Sequence, residues 1–351
     1  MVTGLFIHLT DMGTIIVTGG AGYIGSHTII ELLTKTNYRV ISVDNFSNSN
    51  KDTYKRVKEI TGKAFDSLNI DLCDWSATDS ALSEVKDIRG VIHFAAFKSV
   101  PESVADPLLY YHNNLVSLTN LLRFCKDKKV DNFIFSSSCS VYGNADELPV
   151  TEGTPLKKAE SPYGHTKQVG EDIISFFCKT ETWFNTVVLR YFNPVGAHPS
   201  GLNGELPINP PSNLLPIITQ TALGKNKLTV FGNDYHTRDG SCIRDYIHVS
   251  DIAEAHVLAI SYLLEKRNKN NNTVFNLGTG NGVTVLEVIN SFEKVSGKKL
   301  TYHLGERREG DVIAVYANNN KARKELNWNP RFSLDDMTGS AWKWQLKLEQ
   351  Q

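Results

Sequence analysis

Short β-branched runs alternate with longer amphipathic segments in the first half of the chain. The runs predict strands over residues 14–18, 38–43, 90–94, 132–136 and 186–190. Helical periodicity predicts helices over residues 23–35, about 107–128 and 163–179. Alternating strands and helices specify a parallel sheet with helices on both faces, and strands that are apolar throughout are typical of such buried sheets. The pattern therefore predicts an α/β fold with a doubly wound parallel sheet.

The regular alternation of predicted strands and helices stops after Asn193. Prolines cluster with glycines between residues 194 and 211, which is typical of irregular loops rather than a continuing strand–helix alternation. Shorter elements follow, and the last predicted helix lies near Leu334–Leu348. We therefore expect a larger first domain over residues 1–193, in which residues 1–13 form a loose extension. A smaller α/β domain is expected over residues 194–351, with some of its segments packing back on the first.

Charge and hydropathy exclude several classes of protein. The 351 residues include 37 Lys and Arg against 38 Asp and Glu, for a formal net charge of −1. No basic stripe is present, so neither nucleic acid nor an anionic membrane is an expected partner. The apolar runs are strand-sized, far below the roughly 20 residues of a membrane helix. The start of the chain lacks the basic flank and small-residue cleavage site of a signal peptide. A soluble, cytoplasmic protein is expected.

Five cysteines are scattered along the chain without a Cys-x-x-Cys pair. Metal sites are usually marked by short ligand spacings, so no metal is expected. Disulfides belong mainly to oxidising compartments, and reduced thiols are therefore the expected state.

Three glycines follow the first predicted strand and open the first predicted helix. Gly19, Gly22 and Gly25 stand three residues apart, which lets a turn, a pyrophosphate and a helix approach one another closely. Asp44 comes 19 residues after Gly25 and closes the second strand. A carboxylate there accepts hydrogen bonds from ribose hydroxyls and disfavours a 2′-phosphate. The motif predicts a Rossmann-type site for NAD. Asp71 could reach the adenine or simply cap a strand end.

Ser138, Tyr163 and Lys167 form a second candidate group. Ser138 lies at a strand end, where ligands bind in open α/β sheets. Tyr163 and Lys167 are four residues apart on a predicted helix and share one face. Taken alone, such a pair is more often a helix surface pair, but downstream of a dinucleotide loop and a strand-end serine it favours a catalytic group. A phenol has a pKa of about 10 and needs nearby positive charge to act as a base. A neighbouring ammonium and a nicotinamide ring would lower its pKa by about three units.

These motifs together resemble the extended short-chain dehydrogenase/reductase superfamily, and most closely its UDP-glucose 4-epimerase family. The resemblance runs from about residue 14 to residue 344. The stretches that carry it are VTGGAGYIGSH (17–27), VIHFAAFK (91–98), FIFSSSCSVYG (133–143), LRYFNPVGAHPSG (189–201), VFGNDY (230–235), RDYIHV (244–249) and RREGD (307–311). Runs of this length are far more discriminating than a glycine triplet.

The resemblance implies roles for individual residues. It makes Ser138, Tyr163 and Lys167 the catalytic group. It implies an NAD site lined by Gly19, Gly22, Tyr23, Ile24, Gly25, Asp44, Asn45, Asn48, Asp71, Leu72, Phe94, Lys98, Asn113, Tyr163, Lys167 and Tyr191. It implies a UDP-sugar site formed by Ser138, Tyr163, Phe192, Asn193, Asn213, Leu214, Thr229, Phe231, Arg244, Arg308, Asp311 and Val315. Arginine forks suit a pyrophosphate, and an aromatic ring suits uracil.

The implied activity is interconversion of UDP-galactose and UDP-glucose in galactose metabolism, through a transient 4-keto sugar and bound NADH. The resemblance also implies a homodimer formed through the two long helices. The leucines of the first long helix do not establish this, because helical apolar spacing predicts core more often than interface.

Three alternatives stay open at this point. Another UDP-sugar could be epimerised: Val315 stands where relatives with a bulky Tyr exclude N-acetylated sugars, so UDP-GlcNAc and UDP-GalNAc are candidates. A 4,6-dehydratase would need an acidic pair after the strand-end hydroxyl, where this chain has Cys139 and Ser140. A non-catalytic NAD-sensing regulator is a third possibility, because fold does not determine function.

Overall fold

The computed structural model describes residues 13–308 and 312–350. Residues 1–12 of the expected N-terminal extension lie outside the described residues, and so does Asp311 of the expected UDP-sugar site.

Strands and helices alternate through most of the described chain. The strands are β1 (Thr14–Thr18), β2 (Arg39–Val43), β3 (Asp66–Leu68), β4 (Ile88–His93), β5 (Asn132–Ser138), β6 (Asn185–Tyr191), β7 (Asn193–Val195), β8 (Leu228–Phe231), β9 (Ile243–Arg244), β10 (Tyr246–His248), β11 (Asn272–Leu277), β12 (Val283–Thr284), β13 (Tyr302–Gly305) and β14 (Ala314–Val315). The α-helices are α1 (Tyr23–Lys35), α2 (Thr53–Thr61), α3 (Trp75–Ser83), α4 (Val100–Ala105), α5 (Pro107–Tyr111), α6 (Ser117–Lys128), α7 (Pro162–Thr180), α8 (Leu214–Ala222), α9 (Val249–Leu264), α10 (Val285–Ser296), α11 (Asn320–Leu326) and α12 (Leu334–Leu348).

Seven parallel strands form the large sheet, in the order β11-β6-β5-β4-β1-β2-β3. The chain starts in the interior at β1, winds outward to β3, and returns to the other side through β4. Such an order creates a crevice at the carboxyl ends of β1 and β4, where open α/β sheets bind ligands. The predicted doubly wound parallel sheet is therefore confirmed.

The predicted strands and helices of the first half are present, with end shifts of one or two residues. The predicted helix over 107–128 differs internally, because a π-helical turn, His112–Val116, separates α5 from α6. π-Helical turns occur often at functional sites. The division of the chain after residue 193 stays a prediction; β11, from the later part of the chain, pairs with β6 in the large sheet.

The two faces of the large sheet carry separate apolar clusters. Along β1, Ile15 and Val17 pack with α1 and α9, whereas Ile16 packs with α6 on the opposite face. This alternation follows from the two-residue period of a strand. Leu118, Leu121 and Leu122 of α6 are part of the second cluster, so these leucines serve the core.

A third cluster holds the later part of the chain together. It is built from α8, α10 and α12, with Phe292 and Trp342 in edge-to-face contact at 5.5 Å between ring centroids. Small sheets surround it, in which β10 pairs with β7, β9 lies between β12 and β14, and β13 pairs with β8. Among the described residues, every helix is too short or too polar to cross a lipid bilayer. The five cysteines lie within the described residues, and none of them is in a disulfide.

Gly170 allows α7 to lie close against β5, and replacing it tests that packing. A Cβ at Gly170 would lie 2.8 Å from Phe135 Cζ in the core. Alanine favours helix by about 1 kcal/mol over glycine, but overpacking costs about 1–3 kcal/mol. We expect Gly170→Ala to lower the free energy of unfolding by about 0.5–2 kcal/mol, measured by urea denaturation.

Gly339 in α12 is the matched control, because a Cβ there would meet Val295 only at 4.0 Å. Gly339→Ala should raise the free energy of unfolding by about 0.5–1 kcal/mol. Equal stabilisation by both substitutions would contradict the packing argument.

Candidate active site

A cavity of about 980 Å³ opens at the carboxyl ends of the large sheet and continues under the later part of the chain. Every described residue of the three predicted sets lines this cavity: Gly19, Gly22, Tyr23, Ile24, Gly25, Asp44, Asn45, Asn48, Asp71, Leu72, Phe94, Lys98, Asn113, Ser138, Tyr163, Lys167, Tyr191, Phe192, Asn193, Asn213, Leu214, Thr229, Phe231, Arg244, Arg308 and Val315. The fold thus brings the sets together, while the individual roles stay predictions.

The glycine turn after β1 forms one end of the cavity. Gly19 has φ +68°, and a Cβ on it would lie 2.7 Å from the Ala95 amide nitrogen. A Cβ on Gly25 would lie 2.2 Å from the Gly19 carbonyl oxygen. The turn therefore closes directly onto the first turn of α1. No side chain caps this helix, and its first turn contains no acidic residue. Its N-terminus leaves backbone N–H groups and the positive end of the helix dipole for an anion.

Asp44 lies at the end of β2 with its carboxylate held by the surrounding loops. One oxygen accepts a hydrogen bond from the Ala21 amide at 2.9 Å, and the other accepts from the Phe46 amide and the Ser49 hydroxyl. The side chain is oriented by the chain itself. Asp71 caps a turn by accepting from the Cys73 amide at 2.8 Å and also lines the cavity, so both of its expected roles are compatible with its position.

The π-helical turn connects the cavity wall to α7. Asn113 lines the cavity, and Asn114 beside it is buried. The Asn114 amide group donates to the Phe97 carbonyl and to the Thr166 hydroxyl, both at 3.1 Å, and its oxygen accepts from the Phe97 amide. These bonds fix the loop after β4 against α7. The turn positions Asn113 at the cavity surface.

The Ser–Tyr–Lys group meets where β5 ends and α7 begins. Ser161 caps α7 by accepting from the Gly164 amide, and the helix then carries Tyr163 and Lys167 to the cavity. Lys167 Nζ donates to the Ser136 carbonyl oxygen at 2.8 Å and lies 6.0 Å from the centre of the Tyr163 ring. The ammonium is thus tied to the strand, on the same side as the phenol.

Burial dominates the acid–base properties of this group. It raises the pKa of Tyr163 to about 12, although hydrogen bonding with Ser138 acts in the opposite direction. Burial also lowers the pKa of Lys167 to about 8, against the opposing effect of Glu171. In the chain by itself, desolvation disfavours the phenolate more than its surroundings stabilise it. The expected lowering of the phenol pKa by Lys167 and a nicotinamide ring together stays a prediction.

A buried ion pair between Glu171 and Arg190 contacts the end of β5. Arg190 donates to both oxygens of Glu171, the closest contact being 2.5 Å, and also to the Tyr142 hydroxyl. Glu171 additionally accepts from the Ser137 hydroxyl. Both charged side chains are below 10% exposed. A buried pair with its remaining hydrogen bonds satisfied is costly to break, so it holds strands β5 and β6 against α7 rigidly.

The far end of the cavity is basic and aromatic. Arg244 donates to the Ile243 and Val312 carbonyl oxygens at 2.9 and 2.7 Å. The Arg308 guanidinium lies 4.5 Å from the centre of the Phe231 ring. Two guanidinium groups beside an exposed ring can bind a pyrophosphate and a flat base. Val315 lies next to Arg244 through the pairing of β14 with β9.

Two residues of the cavity wall and one residue behind it are not predicted from the sequence. Tyr246 and Val285 line the cavity beside the basic end. Asp245 is fully buried and accepts from the Thr279 and Ala317 amides, which fixes the turn behind Arg244. Asp245 and Tyr246 lie inside the RDYIHV stretch. The family resemblance therefore indicates this stretch, but it assigns no role to these two residues. Val285 carries no signal of its own.

Known proteins match this chain over nearly its whole length. A family model described as GDP-mannose 4,6 dehydratase matches residues 16–340. The UDP-glucose 4-epimerase of Bacillus subtilis (strain 168) is 48% identical over 332 residues, covering 94% of this chain and 96% of that protein. The chain belongs to the UDP-glucose 4-epimerase family.

Solved structures of the 4-epimerase family superimpose on nearly the whole molecule. The UDP-glucose 4-epimerase from Bifidobacterium longum in complex with NAD+ and UDP has a TM-score of 0.90 at 46% identity, covering 95% of this chain and 98% of that one. The UDP-Glc/GlcNAc 4-epimerase from Campylobacter jejuni has a TM-score of 0.82 at 36% identity, covering 95% and 99%. The Rossmann-type fold inferred for this 4-epimerase family member is therefore confirmed.

The buried Lys167 predicts an unusual pH dependence of stability. Its pKa is about 8 in the folded protein and about 10.5 in the unfolded chain. Between these values the unfolded chain binds the additional proton, so the free energy of unfolding rises with pH by about 1.4 kcal/mol per pH unit. Lys167→Met removes this contribution. We expect the variant to be more stable than the wild type by about 2–4 kcal/mol at pH 7 and the gap to narrow toward pH 10.

The measurement is urea denaturation of both proteins at pH 7, 8, 9 and 10. Titrations of other groups largely cancel in the difference between the two proteins. A stability gap that stays constant over this pH range would contradict a lowered pKa for Lys167.

Proposed function

We propose that the protein interconverts UDP-galactose and UDP-glucose by inverting C4 of the sugar, as an NAD-dependent isomerase. The observation that carries the proposal is that one cavity joins the glycine turn, the Ser138–Tyr163–Lys167 group and the basic, aromatic end. A nucleotide-linked sugar could span the second half of this cavity while a dinucleotide fills the first. The relatives named UDP-glucose 4-epimerase support the same assignment.

The glycine turn fits the pyrophosphate of NAD. Because Gly19 and Gly25 have no side chains, the turn after β1 lies directly against the start of α1, and the start of α1 faces the cavity. Asp44, already oriented by the loops, would accept from the adenosine ribose hydroxyls. When bound, NAD supplies the hydride acceptor and a positively charged nicotinamide ring. Asn113, Tyr191 and Phe94 would line the rest of this half.

Tyr163 is the proposed base for the C4 hydroxyl. In the chain by itself its pKa is about 12, so the phenol is protonated at neutral pH. The positive charge of a bound nicotinamide would favour the phenolate, and Lys167 would add to this effect when protonated. Ser138 would hydrogen-bond the reacting oxygen. Tyr163 would later return the proton to the same oxygen, after the sugar has presented its other face.

Inversion requires the sugar to turn while the nucleotide stays in place. Arg244 and Arg308 would hold the diphosphate, and Phe231 would contact the uracil. Phe192 and Asn193, the latter the first residue of β7, line the same cavity, where they would contact the turning hexose. A closed site also keeps water from the reduced cofactor and the keto sugar.

Two competing functions fit the residues less well. A 4,6-dehydratase needs an additional acid and base next to the strand-end hydroxyl, but Cys139 and Ser140 follow Ser138 in the cavity wall. A non-catalytic regulator would not require a phenol and an ammonium directed to one cavity. Both groups are present and line it.

A second activity, on UDP-GlcNAc and UDP-GalNAc, is favoured by one position. Val315 lines the cavity beside Arg244 and packs in a small cluster with Phe192 and Val141. A tyrosine at this place would extend into the cavity, whereas valine leaves room for an acetamido group. A relative named as a UDP-Glc/GlcNAc 4-epimerase has the same fold.

The proposal includes a cytoplasmic homodimer. Free thiols are typical of reducing compartments. Leu108 is 78% exposed and Phe176 of α7 is 66% exposed, and both are on the two helical segments expected at the interface. Large exposed apolar side chains on neighbouring helices support contact with a second copy. Sedimentation of the purified protein measures this directly.

Tyr163→Phe tests the proposed chemistry. Without the hydroxyl no group can take the C4 proton, so we expect kcat for UDP-galactose to fall by about 10²–10⁴-fold, a typical loss for a general base. Bound NAD should be retained, and is identified by denaturing the protein and analysing the released nucleotide. The wild type should act without added cofactor.

Tyr262→Phe is the matched control, because its hydroxyl contacts Glu325 on α11, outside the cavity lining. Its kcat should stay within twofold of the wild type. Interconversion by Tyr163→Phe at the wild-type rate would overturn the mechanism.

Val315→Tyr tests the second activity. We expect the wild type to convert both UDP-glucose and UDP-GlcNAc, and the variant to lose at least tenfold in kcat/KM for the acetylated sugar while keeping the glucose activity. A loss of this size corresponds to about 1.4 kcal/mol of transition-state stabilisation. A wild type with no turnover of the acetylated pair would refute the second activity.

A further inference from the structure

Glu205 contacts residues of both predicted binding sets and does not itself line the cavity. Its Oε1 accepts from Lys98 Nζ at 2.8 Å and from Asn213 Nδ2 at 2.6 Å. The Glu205 side chain is 13% exposed. Lys98 belongs to the predicted NAD set, and Asn213 to the predicted UDP-sugar set. A single carboxylate oxygen thus joins one side chain from each predicted set.

The backbone around Glu205 is anchored independently of these contacts. Its main-chain carbonyl oxygen accepts from Trp344 Nε1 on α12 at 2.9 Å. Gly204 before it leaves no space for a side chain, because a Cβ there would lie 2.4 Å from the Trp344 ring. The carboxylate is therefore presented from a fixed point of the later part of the chain.

Lys98 is held on its other side by the start of α1. Its Nζ lies 5.8 Å from the centre of the Tyr23 ring, and the Tyr23 hydroxyl donates to the Gly196 carbonyl at 2.6 Å. The charge of Glu205 also adds to the effect of burial in raising the pKa of Tyr23. Tyr23, Lys98, Glu205 and Asn213 thus form a continuous chain of contacts from the glycine turn to the segment that starts α8.

We propose that Glu205 is a positioning residue that couples the cofactor side of the cleft to the sugar-nucleotide side. It holds the Asn213 amide in place through a charge-assisted hydrogen bond and pairs with the Lys98 ammonium on the same oxygen. Loss of this oxygen releases Asn213, so the nucleotide binds more weakly while the chemistry at Tyr163 is unaffected. The inference rests on the proposed function, because it takes UDP-sugars as the ligands of Asn213.

A KM-against-kcat split distinguishes this role from simple support of the fold. Glu205→Ala removes the acceptor, and Glu205→Gln keeps an oxygen without its charge. With NAD-containing protein as purified, we expect KM for UDP-galactose and the Kd for UDP to rise about tenfold in Glu205→Ala and about threefold in Glu205→Gln. The kcat of both variants should stay within twofold of the wild type.

Glu254→Gln is the matched control. Glu254 lies between two cations, Lys35 at 3.0 Å and Arg331 at 2.9 Å, with a side chain 22% exposed, but outside the cavity lining. Its substitution removes the same charge from a comparable setting. KM and the UDP Kd should change less than twofold.

A double-mutant cycle with Asn213→Ala tests directly whether Glu205 acts through Asn213. If Glu205 acts through Asn213, Glu205→Ala should add less than twofold to the UDP Kd in the Asn213→Ala background. Independent, multiplying effects would overturn the proposal, and so would an unchanged KM in folded Glu205→Ala. If Glu205→Ala does not fold, Glu205→Gln carries the same cycle. UDP binding is measured by calorimetry, so a wild type that binds UDP without epimerising UDP-galactose would refute the proposed function and leave the test of Glu205 intact.

Discussion

The backbone contact between Gly19 and Gly25 determines where the first helix begins. A Cβ on Gly25 would lie 2.2 Å from the Gly19 carbonyl oxygen, so only glycine permits α1 to start directly on the turn after β1. The uncapped helix end then faces the crevice between β1 and β4. The start of α1 also fixes the position of Tyr23, whose hydroxyl donates to the Gly196 carbonyl oxygen in the later part of the chain. One short contact therefore determines both the position of the uncapped helix N-terminus and the position of Tyr23.

Desolvation is the strongest influence on the pKa values of Tyr163 and Lys167. Tyr163 and Lys167 are drawn toward their neutral forms because the cavity wall withholds water from both. The Glu171–Arg190 pair cannot reverse this, since each partner mainly satisfies the other. On the proposed function, the positive charge of a bound nicotinamide would favour the phenolate. Strong base character of Tyr163 would then be confined to the ligand-bound protein.

Local pattern predicted most of the large sheet, because apolar strands and amphipathic helices are encoded by near neighbours. The helix over 107–128 shows the limit of that information. Its π-helical turn depends on Asn114 bonding to Phe97 and Thr166, residues 17 and 52 positions away. The pairing of β11 with β6 is likewise long-range. Periodicity cannot report partners that only the folded topology brings together.

The same distinction between local pattern and long-range contacts applies to the residues of the candidate site. Residues expected to touch ligands lie in motifs with special backbone or chemical demands, so Gly19, Tyr163 and Arg244 could be identified from the sequence. Residues that act on other side chains lack such motifs: Glu205 and its partner Lys98 are 107 positions apart. In the sequence, such a carboxylate cannot be distinguished from an ordinary surface charge. Most surface ion pairs contribute little to stability. What distinguishes Glu205 is the second donor on the same oxygen, because removing the carboxylate leaves an amide near the ligand without its acceptor. Its importance therefore follows from that shared position and not from the strength of the ion pair.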